Sequence, residues 1–137
     1  MQIHYTIEQN LQPAEFVDLL IRSTLSHRRP IDDSERIEMM LKHGNLIVTA
    51  RLKGTLIGVS RALTDFVFCT YLSDLAVDIE YQNTGVGKRL IDATQRAAPQ
   101  AMLILLAAPA AQDYYGKIGM TKFEHCFLLP VGKNLDL

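Results

Sequence analysis

Apolar and polar positions alternate over Ile3–Glu8, which predicts a first strand. Pro13 suits an early helical position. Phe16, Leu19, Leu20 and Ser23 then share one face of a helix running to about Leu25. Ser26–Ile31 is a polar, basic connector containing Pro30. Asp32 and Glu35 stand at capping-box spacing before a second helix, Ser34 to about His43. Its apolar stripe is Ile37, Met40 and Leu41, and Gly44 is its expected stop. Leu46–Leu52 and Thr55–Leu63 are apolar runs joined by Lys53-Gly54, the signature of a β-hairpin. Phe66–Ile79 predicts a long strand with room for a bend. A third helix, Val86 to about Ala98, turns Val86, Leu90, Ala93, Thr94 and Ala97 inward. Met102–Ala107 is a continuous apolar run, as in a strand covered on both faces. Ala110–Ile118 predicts a short helix ended by Gly119, and Thr121–Val131 a last strand.

The predicted order is therefore β-α-α-β-β-β-α-β-α-β. The fourth strand, third helix and fifth strand form a βαβ unit, which requires parallel strands and favours a right-handed crossover. The remaining strands are free to pair antiparallel. The expected class is α+β, a mixed sheet with helices packed on it.

Bulk properties narrow the function. The 137 residues are expected to form a single domain, 1–137, and the 48% apolar content supplies ample core. A net charge of −1 argues against nucleic acid as a main partner. Cys69 and Cys126 lie in apolar runs, so buried free thiols and a reducing, cytoplasmic setting are expected. The start Met1-Gln2-Ile3-His4-Tyr5 has no leader pattern. The apolar run Ala97–Ala111 is too short to span a bilayer and is broken by Pro99 and Pro109, so no membrane partner is expected. His4, His27, His43 and His125 show no ligand spacing, and no metal is expected.

The chemically informative segment is Gln82-Asn83-Thr84-Gly85-Val86-Gly87-Lys88, between the long strand and the third helix. Glycines at 85 and 87 let main-chain N–H groups approach an anion, and the helix start adds unpaired donors and a positive dipole end. A Walker A loop is excluded, because Gln82 stands where its first Gly belongs and Arg89 where Ser or Thr belongs. A dinucleotide fingerprint is excluded by Leu90 at the third Gly position. The pattern Gln/Arg-x-x-Gly-x-Gly/Ala fits Gln82, Gly85 and Gly87 at every fixed position. A junction whose glycines serve geometry alone remains the alternative.

That pattern resembles the phosphate loop of the GCN5-related N-acetyltransferases, the GNAT family. Tyr114-Tyr115-Gly116-Lys117-Ile118-Gly119-Met120 is similar to the family's aromatic-Tyr-x-x-x-Gly-Phe signature, with Met120 in the Phe position. Leu75-Ala76-Val77 ahead of Glu80-Tyr81-Gln82 is similar to the Leu-x-Val strand end that often precedes the family's loop. The element order agrees along nearly the whole chain. Many relatives carry an Asn where this chain has Ala107-Ala108-Pro109-Ala110.

The resemblance implies a GNAT-like acyl-CoA N-acyltransferase fold and acetyl transfer from acetyl-CoA to an amine by direct attack. It implies main-chain contacts from Leu75, Ala76 and Val77 to the pantetheine arm, with the Val77 N–H as oxyanion donor. It implies a diphosphate cradle from Gln82, Asn83, Thr84, Gly85, Val86, Gly87 and Lys88. Tyr115 is the implied general acid for the leaving thiolate; packing is the alternative for both tyrosines. For the base, Asp74 ranks ahead of Asp78 and Glu80, each of which is otherwise a carboxylate at a strand end. His27, Arg28 and Arg29 fall where relatives cover the acceptor, and a solvated loop is the alternative. Expected partners are a small-molecule or peptide amine acceptor and a second copy of the chain in a homodimer. A catalytically silent acyl-CoA sensor and a protein modifier are the competing functions.

Overall fold

Five strands form one sheet in chain order in the computed structural model, which describes residues 2–137. They are β1 (Ile3–Ile7), β2 (Leu46–Leu52), β3 (Thr55–Thr64), β4 (Cys69–Val77) and β5 (Met102–Leu105). The first three pairings are antiparallel and β4–β5 is parallel. The mixed sheet expected from the alternation of strands and helices is therefore present. Helices α1 (Pro13–Arg22) and α2 (Ser34–His43) join β1 to β2, and α3 (Val86–Ala97) joins β4 to β5.

Local chemistry accounts for the boundaries. Pro13 sits in the first turn of α1. That helix stops at Arg22, short of the expected Leu25, because Thr24 takes a left-handed φ of 70°. The side chain of Asp33, next to the expected Asp32, caps α2 by accepting from the Arg36 N–H at 3.1 Å. Lys53 and Gly54 both have positive φ, the two-residue turn that the hairpin twist requires.

Two apolar layers lie on opposite faces of the sheet. On one, Phe16, Leu19, Leu20, Ile37 and Leu41 from α1 and α2 pack on Ile47, Val59 and Ala76. On the other, Val86 and Leu90 of α3 pack on Leu46, Val48, Ala50 and Ile57, with Leu75 and Val77 at the margin. Thr94 of α3 is buried against Ser60 of β3 with their hydroxyls 2.7 Å apart. Gly58 makes this second layer possible. A Cβ there would lie 2.9 Å from Leu90 Cδ1 and 3.1 Å from Val86 Cγ1. The start of α3 can sit this close to β3 only because position 58 carries no side chain.

The chain divides into two compact units, one reaching Leu106 and one comprising Ala107–Leu137. The second contains α4 (Gln112–Lys117) followed by turns. Its residues 121–131 form no strand among the described residues, which corrects the last β of the expected order. A strand exists through its ladder, and this apolar run has no ladder partner. Its side chains stay in solvent, with Phe127 91% exposed. β5 is also shorter and more open than expected. Met102 is 62% exposed, because β5 is an edge strand with one neighbour. Cys69 and Cys126 are free and exposed, not buried. Among the described residues no helix is long and apolar enough to cross a membrane.

Gly58→Ala should destabilise the chain by about 1–3 kcal/mol, because α3 must move outward to admit one methyl group. Thermal unfolding of the variant beside the parent measures this, and an unchanged midpoint would show that α3 yields freely.

Candidate functional site

β4 outlasts its parallel partner. Its pairing with β5 runs from Cys69–Met102 to Leu72–Leu105 and stops, whereas β4 continues to Val77. Its pairing with β3 changes register within the strand. Thr70 stands opposite Thr64 and Leu72 opposite Ala62, but Asp74 stands opposite Arg61 and Ala76 opposite Val59. Ser73 is the extra residue, a β-bulge.

The bulge decides which main-chain groups are available. Antiparallel ladders alternate hydrogen-bonded and non-hydrogen-bonded pairs. The Asp78 N–H donates to the Ile57 carbonyl at 2.8 Å. Counting back in register, Ala76 and Asp74 direct their main chains at β3, and Val77 and Leu75 direct theirs at the opposite edge. No strand pairs with that edge beyond Leu72 among the described residues. Of the three expected contact residues, Leu75 and Val77 thus face the open edge. Ala76 does not: its main chain belongs to the ladder with Val59 and its methyl to the α1–α2 core.

The loop after β4 is tied down by its own side chains. Asp78 accepts from Arg22 Nη1 at 2.5 Å and from the Glu80 N–H at 2.9 Å. Arg22 Nη2 also donates to the Leu56 carbonyl at 2.7 Å. Gln82 Nε2 donates to the Val77 carbonyl at 2.9 Å and the Ser23 carbonyl at 3.4 Å. The Gln of the motif therefore holds the loop to the end of β4 and to the end of α1. Thr84 Oγ1 donates to the Tyr81 carbonyl. Asn83 (φ 64°) and Gly85 (φ 94°) occupy left-handed conformations that turn the chain into α3.

That turn leaves α3 uncapped. Gly85 is its N-cap and offers no side chain, and the first helical N–H to find an acceptor is that of Arg89. None of the N–H groups from Gln82 to Lys88 donates to a protein acceptor among the described residues. Charge follows the same logic. α1 and α2 each carry a glutamate in the first turn, Glu15 and Glu35, which suits the positive helix end. α3 carries no acid there and instead has exposed Lys88 and Arg89. Arg89 acts on Tyr5, favouring its phenolate, although burial outweighs this and raises the phenol. A row of free donors with two cations on an unneutralised helix start is the kind of arrangement that suits an anion.

The candidate bases divide. Asp74 is wholly buried and bonded to Arg29 Nε through one oxygen and Arg61 Nε through the other. Asp74, the first-ranked candidate, thus has both oxygens committed to guanidinium groups and no exposure, the arrangement of a carboxylate that holds structure. Asp78 is likewise held by Arg22. Glu80 is exposed, and its carboxylate has no hydrogen bond or ion pair among the described residues. His27 and Arg28 are exposed in a 3₁₀ turn, Leu25–Arg28, whereas Arg29 turns inward.

In the second unit, Tyr114 and Tyr115 pack edge to face with ring centroids 5.2 Å apart. Burial raises the Tyr115 phenol, with a smaller push from Tyr114. The helix end explains the Tyr-x-x-x-Gly spacing. Gly119 takes φ 104°, its N–H donates to the Gly116 carbonyl at 3.2 Å, and the Met120 N–H donates to the Tyr115 carbonyl at 3.0 Å. This is a Schellman motif, which requires a residue free to adopt the left-handed conformation four positions after the tyrosine.

The sequence pattern of the Acetyltransferase (GNAT) domain matches residues 14–127. The chain belongs to this family. Over 67 residues it is 37% identical to GCN5-related N-acetyltransferase 2, chloroplastic, of Arabidopsis thaliana. That match covers 47% of this chain and 26% of the plant protein, so the chain spans about a quarter of that relative. A GNAT family acetyltransferase from Streptococcus pneumoniae TIGR4 superposes with a TM-score of 0.78 at 16% identity, covering 97% of this chain and 100% of that one. Aminoglycoside N-acetyltransferase AAC(6')-Iy in complex with CoA superposes with a TM-score of 0.72 at 18% identity, covering 94% of each chain. The GNAT fold expected from the glycine loop and the tyrosine motif is therefore shown.

Proposed function

We propose that residues 1–137 act as one acetyl-CoA-dependent N-acetyltransferase, moving an acetyl group to the amine of a small molecule or peptide by direct attack. The observation that carries this reading is the uncapped, cation-bearing start of α3 immediately after the open edge of β4. The two sets of donors suit the two ends of one ligand. The N–H groups from Gln82 to Lys88 take the diphosphate, each contributing about 1.5–3 kcal/mol to a charged acceptor. Leu75 and Val77 take the pantetheine amides as an added strand would. The structural relative bound to CoA supports the same cosubstrate.

The chemistry needs a proton acceptor, an oxyanion donor and an acid; the first two are sought on this path, and the acid is the one that the family's tyrosine motif implies. An amine with a pKa of about 10.4 is about one part in a thousand neutral at pH 7, so the site must accept a proton before attack. That proton passes to water, and Glu80 is the carboxylate of this stretch with uncommitted oxygens. The neutral nitrogen attacks the thioester carbon, and the Val77 N–H stabilises the oxyanion. The carbon–sulfur bond breaks and Tyr115 protonates the departing thiolate. Its raised phenol suits the role, because it stays protonated at and above neutral pH. The acceptor is an amine such as the structural relative's aminoglycoside class presents.

Mixing the protein with acetyl-CoA and a panel of amines should release free thiol with at least one amine. Acetyl-CoA binding without thiol release for any amine or peptide would favour a silent sensor. Gly87→Glu should abolish CoA binding by placing a carboxylate in the cradle, and calorimetry showing full affinity would remove the cradle. Tyr115→Phe should lower turnover about a hundredfold with little change in CoA affinity. In the parent, the alkaline loss of turnover due to Tyr115 should fall above pH 10, the ordinary phenol value. A pH–rate profile identical in parent and variant would exclude the acid role.

A further inference from the structure

We propose that Arg29, Asp74 and Arg61 are positioning residues that lock the β4 bulge and so determine which main-chain N–H groups face the open edge. The inference rests on the reading of that edge as the seat of the acyl-CoA arm. A bulge residue falls outside the ladder, so its polar groups need other partners. The carbonyl and the hydroxyl of the half-buried Ser73 are each held by a guanidinium group. Arg29 Nη2 donates to its carbonyl at 2.7 Å, and Arg61 Nη2 donates to its hydroxyl at 3.0 Å. The two guanidinium groups are themselves fixed through their Nε atoms, one on each oxygen of Asp74.

The clamp is anchored from three directions. Asp74 is on β4 beside the bulge. Arg61 is on β3 and also donates through Nη1 to the Met40 carbonyl of α2 at 3.0 Å. Arg29 ends the 3₁₀ turn between α1 and α2 and donates through Nη1 to the Arg28 carbonyl at 2.8 Å. Gly44 makes room for the Arg61 side chain, since a Cβ there would lie 2.8 Å from Arg61 Cγ. Burying an aspartate with two arginines costs desolvation that well-packed apolar residues would avoid. What the arrangement secures is geometry.

The geometry matters because a strand has a period of two. Before the bulge, Phe68 directs its carbonyl to β5, accepting from the Met102 N–H at 2.9 Å, and the even-numbered residues keep that direction to Leu72. After it, the odd-numbered Leu75 and Val77 face that edge and the even-numbered Asp74 and Ala76 face β3. A strand without the extra residue would exchange these sets. The N–H of Val77 would then lie inside the β3 ladder, out of reach of a thioester carbonyl.

The test separates the arm of CoA from its phosphates. Arg29 is the partly exposed member, so Arg29→Ala is the variant, and CoA and 3′-phospho-ADP are the probes. The second probe has the nucleotide and diphosphate without pantetheine. Arg29→Ala should weaken CoA about tenfold, the scale of one hydrogen bond, and leave 3′-phospho-ADP unchanged. Arg29→Lys, which keeps a cation near Asp74 but loses the fork to Ser73, should show the same selective loss and covers the case in which alanine unfolds the chain. Equal loss of both probes, or no loss of either, would overturn the clamp. A parent protein that binds neither probe would instead refute the acyl-CoA reading, and this inference with it.

Discussion

A main-chain N–H or carbonyl in a strand needs a partner on its own side, and among the described residues no strand pairs with one side of β4 from Ser73 to Val77. The rest of the molecule is arranged around that deficit. A free sheet edge normally invites another chain. Here the free stretch is short and leads directly into a helix start whose own donors are also unmet. In the proposed function, one elongated ligand with amides at one end and a diphosphate at the other satisfies both.

The supporting structure keeps the two donor sets in fixed relation. α3 presses on β3 over Gly58, so the uncapped helix start is held by Val86 and Leu90 in a fully packed layer. Gln82 joins the loop to the last residue of β4 and to the end of α1. Arg22 joins α1 to Asp78 at the loop's first residue and to the Leu56 carbonyl of β3. The loop turns at Asn83 and Gly85, both left-handed, and polar ties hold it elsewhere.

The carboxylates near the edge illustrate how one residue type serves two ends. Aspartates beside a candidate acyl-transfer site invite assignment as bases, yet Asp74 and Asp78 are both consumed by arginines that hold the backbone. A buried acid with two guanidinium partners can fix a strand's register; in the proposed function the exposed Glu80, unpartnered among the described residues, takes the part of the base. Burial and partner count distinguish these roles, and neither is visible in a list of residues.

Periodicity determined the mixed sheet, the helices and the hairpin turn at Lys53-Gly54, because amphipathic spacing and turn chemistry act over a few neighbours. The same local rules made Gly85, Gly87 and the Tyr115–Gly119 spacing readable as a phosphate-type turn and a helix end. Contacts distant in sequence were not readable. No local signal paired Arg29 and Arg61 with Asp74, placed the bulge at Ser73, or required Gly58 to be bare beneath α3. Nor did any local signal show that the apolar run 121–131 would lack a ladder, since a strand's existence depends on what lies alongside it. Sequence determined which segments turn, coil or extend, because those choices are made between near neighbours. Tertiary structure decided which backbone groups are left unpaired, because that depends on where each strand's neighbour ends.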